Sequence, residues 1–171
     1  MKTGQTIVNF TVHEDGTEFC GIAKVTMPDI NFLTQSVSGS GIAGNVDAVI
    51  SGMVDTMSMT LEFRTVTEQA IRLTEPRRHN LTFRVAQQFE DTVAARVGIQ
   101  ALKHVVTVIP KSLKGGSIAP ASTADVSGEY AVRYWAMYVD GKKQVEIDPL
   151  NFICVINGID YLANVRKALG K

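Results

Sequence analysis

The run MSMTLEF at residues 57–63 constrains the fold of this chain more than any other stretch of the sequence. Its apolar residues occupy alternate positions, Met57, Met59, Leu61 and Phe63. The positions between them are polar, Ser58, Thr60 and Glu62. A period of two places side chains on the two faces of a β-strand, and a helix cannot maintain it. The run therefore predicts a strand whose apolar face lines a core.

Most of the remaining sequence also predicts strands. Asp15-Gly16 and Asp140-Gly141 each separate two strand-like segments, and an Asp-Gly pair supplies the positive backbone angles that a tight hairpin needs. The first pair predicts a hairpin between TIVNFTVH and TEFCGIAKV, and the second predicts one between AVRYWAMYV and KQVEI. Further strands are expected in LTFRVAQQF, VAARVGIQAL and VVTVI. The architecture is expected to be mainly β.

Two short helices are predicted among these strands. Thr65 precedes Glu68 by three residues, which is the spacing of a capping box, and Pro76 stops the apolar segment that follows. These signals predict a helix at about 66–74. A second short helix is expected at the C-terminus, where Asp160 stands in a capping position. Its apolar stripe comprises Leu162, Val165 and Leu169.

Composition limits the possible functions. A chain of 171 residues with 45% hydrophobic residues is long enough for one core and short for two, so residues 1–171 are expected to form a single domain. The 17 basic and 17 acidic residues give no global electrostatic reason to bind nucleic acid or an anionic membrane. No segment resembles a signal peptide or a membrane span. We expect synthesis in the cytoplasm, buried thiols at Cys20 and Cys154, and no membrane anchor.

The segment QSVSGSGIAGNVDAVISG, residues 35–52, satisfies the spacing G-x-G-x-x-G at Gly39, Gly41 and Gly44. A dinucleotide-binding loop requires a buried strand before the glycines and a helix after them. The preceding residues are half polar, and the following NVDAVISG alternates as a strand of an antiparallel pair does. The sequence therefore disfavours nucleotide binding, and no cofactor is expected.

Catalytic and metal-binding patterns are also weak. His13, His79 and His104 lie in three different elements, and none has a metal-ligating neighbour at the usual spacing. We expect surface or hydrogen-bonded histidines, no catalytic residue and no metal site. The cluster Arg77-Arg78-His79 lacks interleaved aromatic residues, which favours a solvated turn or a subunit contact over nucleic-acid binding.

The C-terminal forty residues, AVRYWAMYVDGKKQVEIDPLNFICVINGIDYLANVRKALG, carry the most specific signal. The Asp-Gly hairpin, the runs VEIDPLN and VINGIDYLA, and the closing basic helix resemble the tail tube proteins of contractile-tailed phages and R-type bacteriocins. The opening hairpin and the Met27-Pro28 turn resemble the same family. These runs favour the phage and bacteriocin branch over the related tubes of type VI secretion systems.

The resemblance implies a small β-barrel or sandwich with one short central helix, an extended hairpin and a short C-terminal helix. In this family six copies form a ring, and stacked rings form a hollow tube. The implied partners are further copies of the chain, the tail sheath protein, the baseplate or tail initiator, and the tape-measure protein. DNA passes through the lumen without sequence-specific binding. The implied location is the host bacterial cytoplasm during assembly and the tail of the particle afterwards.

Two features point to residues 31–52 as the assembly hairpin. Residues 25–63 contain no Lys or Arg, although charges normally protect strand edges from pairing with another chain. The tip is rich in glycine, which permits sharp turns and the close approach of a neighbouring backbone. The predicted tip residues are Ser38, Gly39, Gly41 and Gly44.

The strand at 45–51 should then present one face to the channel. Asn45, Asp47 and Ser51, with Val49, share one parity, and Val46, Ala48 and Ile50 share the other. We assign the first face to the water-filled lumen and the second to the core. In this arrangement Asp47 would form rings of negative charge, which would repel DNA.

One alternative belongs to another functional class. Residues 111–128, KSLKGGSIAPASTADVSG, show no periodicity, and so long a loop is unusual unless it is functional or ordered by a partner. A small ligand-binding or enzymatic β-barrel could use this loop as a lid.

The choice between an infectious phage and a bacteriocin also stays open, because the same tube serves both.

Overall fold

A computed structural model describes residues 1–19 and 21–171, and strands dominate these ranges. The strands are β1 (Lys2–Glu14), β2 (Thr17–Phe19), β3 (Ile22–Thr26), β4 (Phe32–Val37), β5 (Val46–Val54), β6 (Met57–Phe63), β7 (His79–Asp91), β8 (Arg96–Lys114), β9 (Val126–Val139), β10 (Lys142–Asp148), β11 (Ile153–Ile156) and β12 (Ile159–Asp160). The α-helices are α1 (Glu68–Arg72) and α2 (Ala163–Ala168), and a short 3-10 turn spans Pro149–Asn151. The mainly β prediction with two short helices is confirmed.

The main sheet curls around the core. Its neighbours follow the order β3-β6-β9-β8-β7-β1-β2. The two end strands of this path, β2 and β3, are consecutive in the chain and are separated only by residues 20 and 21. A sheet whose end strands are so close together must curve back on itself, which gives the predicted barrel-like form. Beyond the second half of β9, the sheet continues through β10, β11 and β12.

The core lies inside this curl. The alternation predicted for β6 is confirmed, because its four apolar residues are buried and the three between them are not. Tyr130 of β9, Phe83 of β7 and Val106 of β8 are buried with them. Ala70 and Leu73, at α1 and its C-terminal cap, also join the core. The helix therefore packs against the interior of the sheet.

The N-terminal cap of α1 differs from the prediction. Thr67, not Thr65, occupies the cap position, and its side-chain oxygen accepts a hydrogen bond from the backbone amide of Ala70 at 3.2 Å. Glu68 is consequently the first helical residue and stands too early to complete a capping box. A Ser or Thr cap without the reciprocal Glu contact is sufficient for so short a helix.

The middle of the chain forms longer strands than predicted. VAARVGIQAL and VVTVI belong to one strand, β8, except that residues 93–95 lie in the turn before it. β8 pairs with β7 over residues 96–108 and with β9 over residues 102–114, and this overlap explains its continuity. It runs on to Lys114, and β9 begins at Val126. The irregular segment is therefore 115–125 and not 111–128.

Side-chain contacts explain the C-terminal motif. The Asp148 carboxylate accepts hydrogen bonds from the backbone amides of Leu150 and Asn151 at 3.2 and 3.3 Å, which holds the turn after β10. Asn157 and Gly158 have the positive φ angles, 51° and 80°, of the tight turn between β11 and β12. The predicted C-terminal helix follows as α2.

Asp160 does not cap α2 in the predicted way, because Leu162 occupies the N-cap position. The Asp160 carboxylate instead accepts a hydrogen bond from the backbone amide of Leu162 at 3.0 Å and pairs with Arg166. Arg166 also donates to the carbonyl of Phe152 at 2.6 Å. Cys154 is buried between these elements, as predicted, and Cys20 lies outside the described residues.

Candidate assembly interface

The predicted extended hairpin is present as β4 and β5. These two strands form a separate sheet, and in the described residues neither pairs with the main sheet. Gly39, Gly41 and Gly44 lie in the turn with positive φ angles of 144°, 88° and 128°. The backbone amide of Ile42 donates to the carbonyl of Gly39 at 3.0 Å. The glycines therefore serve the turn, and Ser38 stands at its start.

The burial of β5 contradicts one assignment. Val46, Ala48 and Ile50 were expected to face the core, but all three are exposed, Val46 by 55% and Ile50 by 44%. Val49, on the opposite parity, is 57% exposed. As far as Ser51 the hairpin projects beyond the core, and both of its faces stay exposed. The alternation of residues in β5 correctly indicated a strand with two faces. It does not show whether the surface that covers a face belongs to the same molecule or to another copy.

The predicted lumen residues do not have equivalent surroundings. Asp47 is exposed and lies opposite Ser36 in the β4–β5 register. Ser51 lies near the base of the hairpin and, with Val49, lines a cavity of about 260 Å³ that also contacts Ile156 and Tyr161. Asn45, like Asp47, is exposed. The structure thus keeps Asn45 and Asp47 on the free part of the hairpin and places Ser51 beside the body of the subunit.

Gly52 is a hairpin residue that the sequence analysis missed. Its φ is 82°, and a Cβ atom at this position would lie 2.8 Å from the buried Leu162 side chain. The β4–β5 register is irregular beside it, between Phe32 and Thr34. Gly52 therefore lets the backbone of the hairpin base approach the segment before α2. A glycine inside an otherwise regular strand, as in VISGMV, was the available signal.

A second exposed surface lies at the other end of the long strands. We call it the ribbon, and it consists of residues 2–9 of β1, 86–91 of β7 and 96–101 of β8. Gln5 connects its strands, because its amide donates to Glu90 at 2.8 Å and it accepts from Gln88 at 2.7 Å. Ile7 and Val8 are 60% and 57% exposed. Val97 and Ile99 are exposed to a similar degree, so the ribbon presents apolar side chains to solvent among its polar ones.

The cluster around His79 is part of the fold. His79 is fully buried, with Nδ1 2.6 Å from the Glu14 carboxylate and Nε2 3.0 Å from the carbonyl of Glu75. Arg77 pairs with Glu14 at 3.2 Å and with Glu75 at 2.8 Å. The hydrogen-bonded histidine was expected. Arg77 and Arg78 are exposed in the turn before β7, which agrees with the expected solvated turn, and the Arg77 side chain also reaches the buried Glu14.

His104 is the second buried histidine. Trp135 donates its indole N–H to His104 Nδ1 at 3.2 Å, and the two rings stack. Burial lowers the pKa of His104. Nδ1 is therefore occupied as an acceptor in the interior. In the described ranges, no group of three or more His, Cys, Asp and Glu side chains is arranged to hold a metal.

The clefts give little support to a ligand site under a lid. A cleft of about 590 Å³ is lined by residues of β1, β7 and β8 together with Tyr138 and Gly141, and the 115–125 segment does not contact it. Thr123 and Asp125 instead line a smaller cleft beside Arg64.

Within the described ranges, no helix has both the length and the apolarity needed to cross a membrane.

The curled sheet with a projecting hairpin is a known fold. Over 77% of its length, the chain superposes on 94% of a chain from the sheath/tube terminator of an extracellular contractile injection system, with a TM-score of 0.53 and 15% identity. It also matches a chain from the sheath-tube complex of such a system, with a TM-score of 0.50 and 16% identity over 76% of this chain and 88% of that one. The fold is therefore one found in contractile injection systems.

Sequence comparison identifies the family. Residues 4–170 match the family of phage tail tube protein FII, so the chain belongs to this family. It is 26% identical to the major tail tube protein of Serratia phage KSP20, over 94% of this chain and 93% of that protein. It is 24% identical to the tail tube protein of Escherichia phage P2, over 91% of each. The identification from the C-terminal motif is confirmed: the protein is a structural component of a tail tube.

Proposed function

We propose that this protein, acting as a single domain, forms the inner tube of a contractile tail through six-membered rings that stack into a hollow channel. The observation that carries the proposal is the β4–β5 hairpin. In the described residues its outer edges are unpaired, and residues 32–37 and 46–51 are exposed. An uncovered strand edge is a template for pairing with another chain. The relatives named as sheath/tube and sheath-tube structures support the same use of this fold.

The lumen-facing assignment of Asn45, Asp47 and Ser51 is part of this proposal. It is best supported for Asn45 and Asp47, which are exposed on the free part of the hairpin. Ser51 would lie where the hairpin meets the body of its subunit. A channel for DNA must avoid attractive contacts that recur in every ring, and residues 25–63 offer no cation to phosphate groups.

The proposed partners follow from this role. Sheath subunits would surround the tube, a baseplate or initiator complex would start its assembly, and a tape-measure protein would occupy its lumen. DNA, or ions in a bacteriocin, would pass through without sequence-specific binding. Assembly would take place in the host cytoplasm, and the mature protein would belong to the tail. No catalytic step and no cofactor is required.

Sedimentation and negative-stain microscopy test the proposal directly. Purified protein in the micromolar range should form rings or hollow tubes, and addition of a tail initiator complex should increase tube formation. The competing ligand-binding barrel would remain a monomer of 18.6 kDa under both conditions. A profile showing only that species, without tubes in the presence of the initiator, would contradict the assembly role.

A further inference from the structure

The outer edge of β1 is the least protected edge of the main sheet. β2 covers only Val12, His13 and Glu14. In the described residues, no strand lies on that side of Lys2–Thr11, although β7 pairs with the other side. Backbone amides and carbonyls along an uncovered edge are available to an added strand.

An apolar surface borders this edge. Ile7 and Val8 are exposed within it. Next to it lies a cleft of about 270 Å³ between β1 and β3, whose lining includes Ile7, Phe10, Ala23, Val25, Met27 and Phe83. An exposed apolar surface beside a free strand edge is typical of a site that another chain covers.

We propose that this edge of β1 accepts the β4–β5 hairpin of a second copy of the chain. The inference rests on the proposed assembly through the hairpin and adds the surface that receives it. β5 has nine residues, close to the length of the uncovered segment Lys2–Thr11. The exposed apolar residues of the hairpin would pack against Ile7, Val8 and the adjoining cleft.

Charge supports the same occupant. Asp47 is the only charged residue between 31 and 54, so the hairpin is weakly negative. At the ribbon end of the long strands, residues 2–9, 84–91 and 96–103 carry four cations against two anions. The cations are Lys2, Arg84, Arg96 and Lys103, and the anions are Glu90 and Asp91. A negative hairpin therefore meets a positive surface, which favours this pairing over hairpin-to-hairpin contact.

The two surfaces are different parts of one molecule, so the contact is head-to-tail. Each subunit would donate a hairpin to one neighbour and receive a hairpin from the other. An interface of this type continues from copy to copy until it closes into a ring, whereas a symmetric contact between two hairpins would stop at a dimer. The proposal thus accounts for ring formation with a single kind of contact.

Two variants separate the donor from the acceptor. The donor-blocked variant carries Val46→Lys and Ile50→Lys, and the acceptor-blocked variant carries Ile7→Lys and Val8→Lys. Each should remain a monomer alone. Mixed in equal amounts they should form a one-to-one dimer and nothing larger, because only one intact donor meets one intact acceptor. Ile71→Lys, at an α1 position that is also exposed, is the matched control and should assemble as the wild type does.

The outcomes are distinguishable. If both the wild type and the acceptor-blocked variant form rings, or if the mixture of the two variants gives no dimer, the acceptor surface lies elsewhere. If the wild type itself stays monomeric, the proposed assembly role is wrong and the acceptor surface is not the reason.

Hydrogen exchange on wild-type tubes gives a readout that needs no variant. Amides of residues 2–9 should exchange at least tenfold more slowly in tubes than in monomers, and equal exchange would overturn the proposal.

Discussion

At the scale of single residues, Gly52 determines how the hairpin is attached. Replacing it with Ala forces a non-glycine residue to a φ of 82° and brings a methyl group against Leu162. The left-handed backbone alone costs about 1–2 kcal/mol. We expect Gly52→Ala to lower the free energy of unfolding by at least that amount, as measured by urea denaturation. Gly41→Ala has a similar φ but nothing within 4 Å, so it should cost less. Equal losses would show that contact with Leu162 is unimportant.

The Asp160–Arg166 pair should make stability depend on pH. The pKa of Asp160 is lowered, mainly because its carboxylate accepts a hydrogen bond from Arg166. A carboxyl group with a lowered folded-state pKa stabilises the fold above its unfolded pKa, about 3.9 for Asp, and this contribution is lost as the pH falls through the folded value. Asp160→Asn should therefore unfold more easily at neutral pH and match the wild type in strong acid. A constant difference across a pH series of urea unfolding curves would contradict this.

Asp47 tests the lumen assignment. Asp47→Lys should leave tube assembly nearly intact, because an exposed charge pair contributes only about 0–1 kcal/mol. It should slow the release of DNA, most strongly at low salt, where phosphate contacts are least screened. Ser36→Lys should act in the same way, since Ser36 lies directly opposite Asp47 and shares its face. Ile71→Lys adds the same charge at an exposed α1 position outside the hairpin and is the control. Unchanged release from Asp47→Lys tubes at every salt concentration would reject the assignment.

At the scale of secondary-structure elements, the tip of the hairpin should be required for assembly and dispensable for folding. Residues 38–44 are all exposed, and a Cβ atom added at any of the turn glycines would meet nothing within 4 Å, so removing this segment should leave the core intact. We expect a monomer with a cooperative unfolding transition, and no tubes by microscopy. Normal tubes from this deletion variant would show that the tip makes no assembly contact.

Mobility offers a separate test. Residues 31–52 and the irregular segment 115–125 should exchange amide hydrogens quickly in the monomer, because neither packs against a strong apolar anchor. Protection of both segments in assembled tubes would indicate that neighbours order them. Strong protection in the isolated subunit would contradict this expectation.

The elements also show what the sequence could predict. β6 was predictable because its own chain buries one face and leaves the other partly accessible. The alternation of apolar and polar residues therefore matches the burial of the strand in the single subunit. The faces of β5 were assigned wrongly because the surface that would cover them is not in the same chain. The continuity of β8 was missed because it depends on pairing with β7 and β9, which no local pattern records. Family membership was predictable because VEIDPLN and VINGIDYLA form turns that require particular residues. Asp148 binds the backbone amides of the turn after β10, and Asn157 and Gly158 adopt the positive φ angles of the next turn.

At the scale of the whole molecule, the main sheet is well protected in its centre and poorly protected at β1. The sequence does not distinguish the ribbon from a core strand, because its apolar residues are no denser than those of a buried strand. Only the sheet order shows that Lys2–Thr11 lacks a neighbour on its outer side in the described residues. Tertiary arrangement, and not composition, therefore distinguishes a core strand from an assembly strand in this chain.

The pairing of β6 with β9 has a consequence for biosynthesis. β3 is made before β6, but the other neighbour of β6 is β9, in which Met57 pairs with Val132 and Phe63 with Val126, so one edge of β6 stays unpaired until much later in synthesis. Contacts so distant in the chain slow folding, and a growing polypeptide exposes its unpaired strands until they form. The sheet cannot close while residues beyond β8 are still inside the ribosome. Subunits therefore become competent to join one another only after translation is nearly complete, which delays polymerisation until the chains can leave the polysome.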